Sequence, residues 1–201
     1  MVKLKHLLVA FAVAGLVVGS ASATIIDYGP FGVNIGSVGG ASGSDIYAQS
    51  FIAPADNVLV LAGMYLQDGG SDPPEVRIDI WANDAQGWPD ENNIVVAGTV
   101  YQQNFPDLTL VTTATNTPLV AGDTYWVVIN GMIDQTSSGN YMSSWESPGQ
   151  FPDGKATWSN DMGGSWSNTT GDWAFYVETV PEPATLGLLA VGGLLLLSRR
   201  R

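Results

Sequence analysis

The sequence predicts an all-β fold, a two-sheet antiparallel sandwich of jelly-roll type, flanked by an N-terminal signal peptide and a C-terminal transmembrane helix. Three observations carry that prediction. Short stretches of alternating apolar and polar residues recur through the middle of the chain, separated by Gly, Pro, Asn and Asp. Glycine supplies 24 of 201 residues, above the usual ~7 percent, as a turn-rich fold requires. Between the two ends, no stretch keeps a helical apolar period over ten or more positions.

The N-terminal end is an export address. Lys3, Lys5 and His6 precede an apolar run over 7–18, and Ala21-Ser22-Ala23 fits the small-residue cleavage pattern. Bases only at the front and small residues only at the back are what a signal peptide needs and a core helix does not. Residues 1–23 are therefore assigned to it, and the mature chain is expected to begin at Thr24.

Strands follow in order. The first is expected at 45–51, and a longer one at 57–66 after Pro54. A loop at 67–74 leads to 75–81, where Val76, Ile78 and Ile80 should face inward and Arg77, Asp79 and Trp81 outward. A polar loop is expected at 83–93, then strands at 94–101, 108–113 and 123–129, the last two joined through Ala121-Gly122-Asp123. Segments 140–145, 156–158 and 173–177 complete the set. With no cysteine pairs, a sandwich held by packing alone is the natural outcome. The domain is placed at 24–179.

The other end reads Val180-Pro181-Glu182-Pro183, then an apolar run, then Ser198-Arg199-Arg200-Arg201. Residues 184–198 carry no charge and as a helix would span about 22 Å, short of a ~30 Å bilayer core. The arginines should remain cytoplasmic, leaving the rest of the chain outside. Pro183 suits the first turn of a helix, and Glu182 the positive end of its dipole. Both prolines hold Val180 and Glu182 extended. This ordered trio over 180–201 resembles the PEP-CTERM sorting signal of Gram-negative bacteria that make exopolysaccharide. The resemblance implies a membrane peptidase partner, an exosortase, acting at or beside Pro181, Glu182 and Pro183, with Arg199, Arg200 and Arg201 as the basic tail. It further implies anchoring in the inner membrane before processing, then delivery to the cell surface or extracellular matrix.

The central region also resembles the choice-of-anchor ectodomains that accompany such tails. Gln49-Ser50-Phe51, Val76-Arg77-Ile78-Asp79-Ile80-Trp81, the stretch from Leu119 to Val128 and Trp173-Ala174-Phe175 carry that resemblance. These are core and turn positions, so it implies a β-sandwich and no established active site.

Charge narrows the function. Residues 24–180 hold eighteen acids and two bases, Arg77 and Lys155, leaving sixteen net negative charges. Nucleic acid is excluded as a partner, because phosphate binding needs the opposite sign. With no cysteine, and the one histidine in the signal peptide, nucleophilic triads and His-based metal catalysis are absent. Carboxylate pairs such as Asp90 with Glu91, or Glu146 with Asp153, have the chemistry of a glycosidase, but their glycine- and asparagine-rich settings suit solvated turns. No catalytic residue is assigned, and no cofactor beyond a structural calcium. Asp68, Asp72, Asp84 and Asp90 are its candidate ligands, since loop carboxylates are hard oxygen donors. Trp145, Phe151, Trp158, Trp166 and Trp173 fall within 29 residues among short polar side chains. Of the tryptophans, Trp88, Trp158 and Trp166 are the candidates for glycan contact, as flat rings beside polar groups suit sugars. The expectation is a non-enzymatic surface or matrix protein of structural or adhesive role, with a carbohydrate-binding module as the alternative.

Overall fold

A computed structural model describes residues 22–31, 34–41, 46–55, 58–68, 72–146, 149 and 151–182. The predicted signal peptide up to residue 21, and the apolar stretch and arginine tail after Glu182, lie outside the described residues. In chain order the strands are β1 (Thr24–Tyr28), β2 (Asn34–Val38), β3 (Ile46–Ile52), β4 (Val58–Asp68), β5 (Val76–Asn83), β6 (Pro89–Val96) and β7 (Val100–Tyr101). They continue with β8 (Thr109–Pro118), β9 (Thr124–Asn130), β10 (Tyr141–Glu146), β11 (Ala156–Ser159), β12 (Ser167–Asn168), β13 (Asp172–Trp173) and β14 (Phe175–Val180). There is no helix among the described residues.

Two antiparallel sheets result. One runs β1-β14-β4-β10-β13, with β8 also on β4 and β2 on β10; the other runs β12-β11-β3-β9-β5-β6, with β7 also on β5. Apart from the β5–β6 hairpin, the main strands alternate between sheets: β3, β5, β6, β9 and β11 lie in the second, β4, β8, β10 and β14 in the first. Each crossing turns one face of every strand toward the same interior. Phe51, Leu59, Met64, Ile78, Ile80, Val127, Ile129, Tyr141 and Phe175 fill it, all fully buried. Stacking of Tyr47 on Trp173, centroids 4.3 Å apart and planes at 12°, ties the sheets at one end.

The second sheet buries its outward face as well. Ile46, Ala48, Trp81, Trp126 and Val128 form a separate cluster there, with Met132 and Trp166 packed on it. This corrects part of the expectation for β5. Val76, Ile78 and Ile80 do point inward, but Asp79 and Trp81, though outward, are completely shielded. Trp126 belongs to this outer cluster rather than to the layer between the sheets.

The expected loop at 83–93 is shorter than its polarity suggested. Asp84 donates its backbone N–H to Trp88 O at 2.7 Å, closing a tight hairpin, and β6 starts at Pro89. A proline is tolerated there because β6 is an edge strand, paired in the sheet with β5 alone. The expected 94–101 strand is split into the end of β6 and β7. Gly98 sits at the break, where a Cβ would run into the Ile78 carbonyl and Thr113 Oγ1. Three strands, β1, β2 and β12, were not anticipated at all.

The ends of the sandwich meet. β1 pairs with β14, Thr24 opposite Thr179, so the first and last strands leave from one side of one sheet. On its other side β14 pairs with β4 as far as Val180 opposite Val58.

Candidate functional site

Two places combine exposure with chemistry: the exit of β14 and a recess over the outer face of the second sheet.

At the exit, alternation in Phe175-Tyr176-Val177-Glu178-Thr179 sends Phe175 and Val177 into the core and turns Tyr176 and Glu178 toward solvent. The register with β4 shifts between Glu178 and Thr179, a bulge at the last paired residues. Thr179 is fully buried, and its Oγ1 has no hydrogen-bond partner. The chain then emerges: Pro181 is half-buried and Glu182 exposed. Hydrogen bonding to the sheet stops at Val180, so Pro181 and Glu182 stand directly beside the folded domain, with no linker between.

Residues 179–201 match the family model of the PEP-CTERM protein-sorting motif. The chain therefore carries a PEP-CTERM signal that begins within β14 itself. PEP-CTERM segments are exosortase substrates, so the motif implies an exported, membrane-anchored protein that an exosortase processes. Pro181 and Glu182 lie within the match and can be described; Pro183, Arg199, Arg200 and Arg201 lie within the match but outside the described residues. No curated protein matches the chain. The two-sheet fold agrees with the ectodomain resemblance read from the strands.

The recess is built by the β5–β6 hairpin and the loop after β11. It holds about 480 Å³ and is lined by Trp88, Trp166, Asp84, Asp90, Glu91 and Asn92, among others. Asp84 Oδ1 accepts from the backbone N–H groups of Gln86 at 2.9 Å and Trp88 at 2.7 Å, which fixes the turn and aims Trp88. Asp90 Oδ1 accepts from Asn92 N at 2.9 Å. The facing loop is held by Asp161, whose carboxylate accepts from Ser159 Oγ, Ser165 N and Ser165 Oγ at 2.6–2.8 Å. The Ser165 hydroxyl above all, then its N–H and the Ser159 hydroxyl, keep that carboxyl below the usual range. Gly163, at φ +86°, brings this loop against β6: a Cβ there would lie 2.8 Å from Glu91 Oε2. Trp166 meets Trp81 edge-to-face, centroids 6.4 Å apart and planes at 83°.

The Trp88 ring also carries a cation from outside the lining of the recess. Lys155 Nζ lies 4.1 Å from the Trp88 ring centroid and 5.4 Å from that of Trp126. Lost hydration lowers its pKa, and the charge of Asp84 opposes that shift. Trp126 is itself oriented by Nε1–H donation to Asn83 Oδ1 at 2.5 Å.

Of the three tryptophans predicted to meet glycan, the structure unites Trp88 and Trp166 in this recess and separates Trp158. Trp158 stands opposite Tyr47 on the inward face of its sheet, partly buried against the main core. Its position at the end of a short polar strand concealed this, because only the pairing partner reveals which face a residue takes. Trp145, Phe151 and Trp173 likewise pack against or within that core.

The four aspartates considered for calcium divide. Asp84 and Asp90 line the recess, while Asp72 Oδ2 accepts from Ser138 N at 3.0 Å and Ser138 Oγ at 3.2 Å. The side chain of Asp68 lies outside the description. Among the described residues no group of three or more Asp, Glu, His or Cys is arranged to hold a metal ion. Lys155, Gln86 and Ser165 were not singled out in the sequence, although Lys155 is one of two bases in the domain.

Proposed function

We propose that the protein is a non-catalytic module of the cell surface or extracellular matrix, which acts by presence and contact once the exosortase has released it. The observation that carries this is the sorting motif beginning inside the last strand. It supports export followed by surface delivery, with the sandwich as the cargo. Support also comes from how the conspicuous carboxylates are used. Glu146 Oε2 accepts from Tyr28 OH at 2.8 Å, and Asp79, Asp84 and Asp134 each hold backbone or side-chain donors of their own fold. Incubating the exported protein with polysaccharide shed by the same cells tests this. Retention on the polymer or on cells without new reducing ends is expected. Reducing ends that disappear with Glu146→Gln or Asp90→Asn would make the protein a hydrolase.

A second reading, carbohydrate binding, is favoured by one observation: two of the tryptophans that suit sugar stacking line a single recess of suitable size. On this reading Trp88 and Trp166 supply the flat faces, and Asp90, Glu91 and Asn92 accept from or donate to sugar hydroxyls.

A further inference from the structure

Building on the carbohydrate-binding reading, we infer that the Trp88–Trp166 recess selects glycans that carry protonated amino groups, such as polymers of glucosamine, over neutral or acidic ones. Three carboxylates, Asp84, Asp90 and Glu91, line it together with the two indoles. Each carboxylate that meets a ligand ammonium gains a charge-assisted hydrogen bond, roughly twice as strong as one to a neutral hydroxyl. The indole faces supply a second attraction for the same group, since an ammonium over a tryptophan ring is drawn to its quadrupole. The Trp88 ring already makes such a pairing within the fold: the Lys155 ammonium, which is not among the residues lining the recess, rests 4.1 Å from its centroid.

The field around the site has the same sign. Residues 24–180 carry sixteen net negative charges, and the bases among them are few. Arg77 is bound to Asp79, and Lys155 is held on the Trp88 ring outside the lining of the recess. An anionic polymer approaching the recess is repelled, a neutral one is indifferent, and a cationic one is drawn in. The turn at Asp84 and the loop at Asp161, which present the two indoles, are each pinned by their own hydrogen bonds.

A matched pair of probes tests the inference on the purified exported protein: a glucosamine hexamer and the fully N-acetylated hexamer, which share ring and linkage but differ in charge. Titrations are followed by tryptophan fluorescence at about pH 6, where most glucosamine amines carry a proton. Binding of the amine form at least about tenfold tighter is expected, weakening steeply with added salt. In the double variant Asp90→Asn/Glu91→Gln that preference should fall about tenfold, with unchanged thermal unfolding showing an intact fold. Equal affinity for the two hexamers, or a preference untouched by the double variant, overturns the charge selection while leaving carbohydrate binding standing. Failure of both hexamers to bind overturns the two together.

Discussion

Arg77 grips Asp79 with two guanidinium nitrogens, Nε to Oδ1 at 2.6 Å and Nη2 to Oδ2 at 2.8 Å, two positions apart on the outward face of β5. The carboxylate is fully buried, and Trp81 Nε1, Asn130 Nδ2 and Gly98 N also donate to it. One of two bases in the acidic domain is thus spent on seating a charge inside the outer cluster. The hydrogen bonds that Arg77 donates to Asp79 raise its pKa above the ordinary value, against the desolvation that lowers it.

Removing the arginine should leave the carboxylate buried with neutral donors only. Arg77→Met is expected to cost about 3 kcal/mol in urea unfolding, at the low end for a broken buried pair because three donors remain. Arg77→Lys should restore little of it, since an ammonium cannot present two parallel N–H groups. A cost near zero for Arg77→Met would show that the pair is ornamental.

Thr179 gives the opposite sign. Its hydroxyl is buried without a partner at the bulge where the sheet releases the chain. Thr179→Val keeps the shape and removes the unmet group, so it should stabilise the protein by about 1 kcal/mol. A higher thermal midpoint measures this, and a lower one would contradict it.

Tyr65 should titrate late. Desolvation first, then the hydrogen bond its hydroxyl donates to Asp27 Oδ1 at 2.9 Å, raise its pKa from 10.0 to about 12. A raised folded value stabilises the fold fully below pH 10 and loses that contribution as pH climbs toward 12. Absorbance titration of phenolate should show a late transition that moves down in Asp27→Asn.

Acid acts through Asp134, which accepts from Ser137 Oγ at 2.5 Å, Thr136 N at 2.8 Å and Glu75 N at 3.2 Å. Chiefly the Ser137 hydroxyl, then the Thr136 N–H, push its pKa down. A depressed folded value means stability that is present above the ordinary carboxylate pKa, about 4, and is lost as pH falls below it. Asp134→Asn should therefore flatten the acid limb of the stability curve, and an unchanged limb would refute the assignment.

The sequence was legible where one face of a strand meets one interior. Val76, Ile78 and Ile80 announced β5, and the 123–129 stretch became β9 at Thr124–Asn130. It misled where a second layer covers the sheet. Asp79 and Trp81 carry the pattern of exposed residues, yet Trp166 packs on Trp81, and Arg77, Gly98 and Asn130 enclose Asp79, a tertiary fact that period-two alternation does not encode. β6 hid for another reason. As an edge strand it leaves Glu91, Asn92, Asn93 and Ile94 exposed in succession, so it shows no alternation to find. In the candidate site, aromatic residues in polar loops single out Trp88 and Trp166, which one recess brings together. Trp158 could be placed only once its register with Tyr47 was known.

The sorting reading rests on residues 179–201, where the last strand passes without a linker into the proline-flanked motif. Intact-mass spectrometry of the exported protein, from cells with and without their exosortase, addresses it most directly. The account predicts a product ending at or beside Pro181, Glu182 and Pro183 in the first case, and a chain retaining Arg201 in the second. The same shortened mass from both cell lines would contradict it.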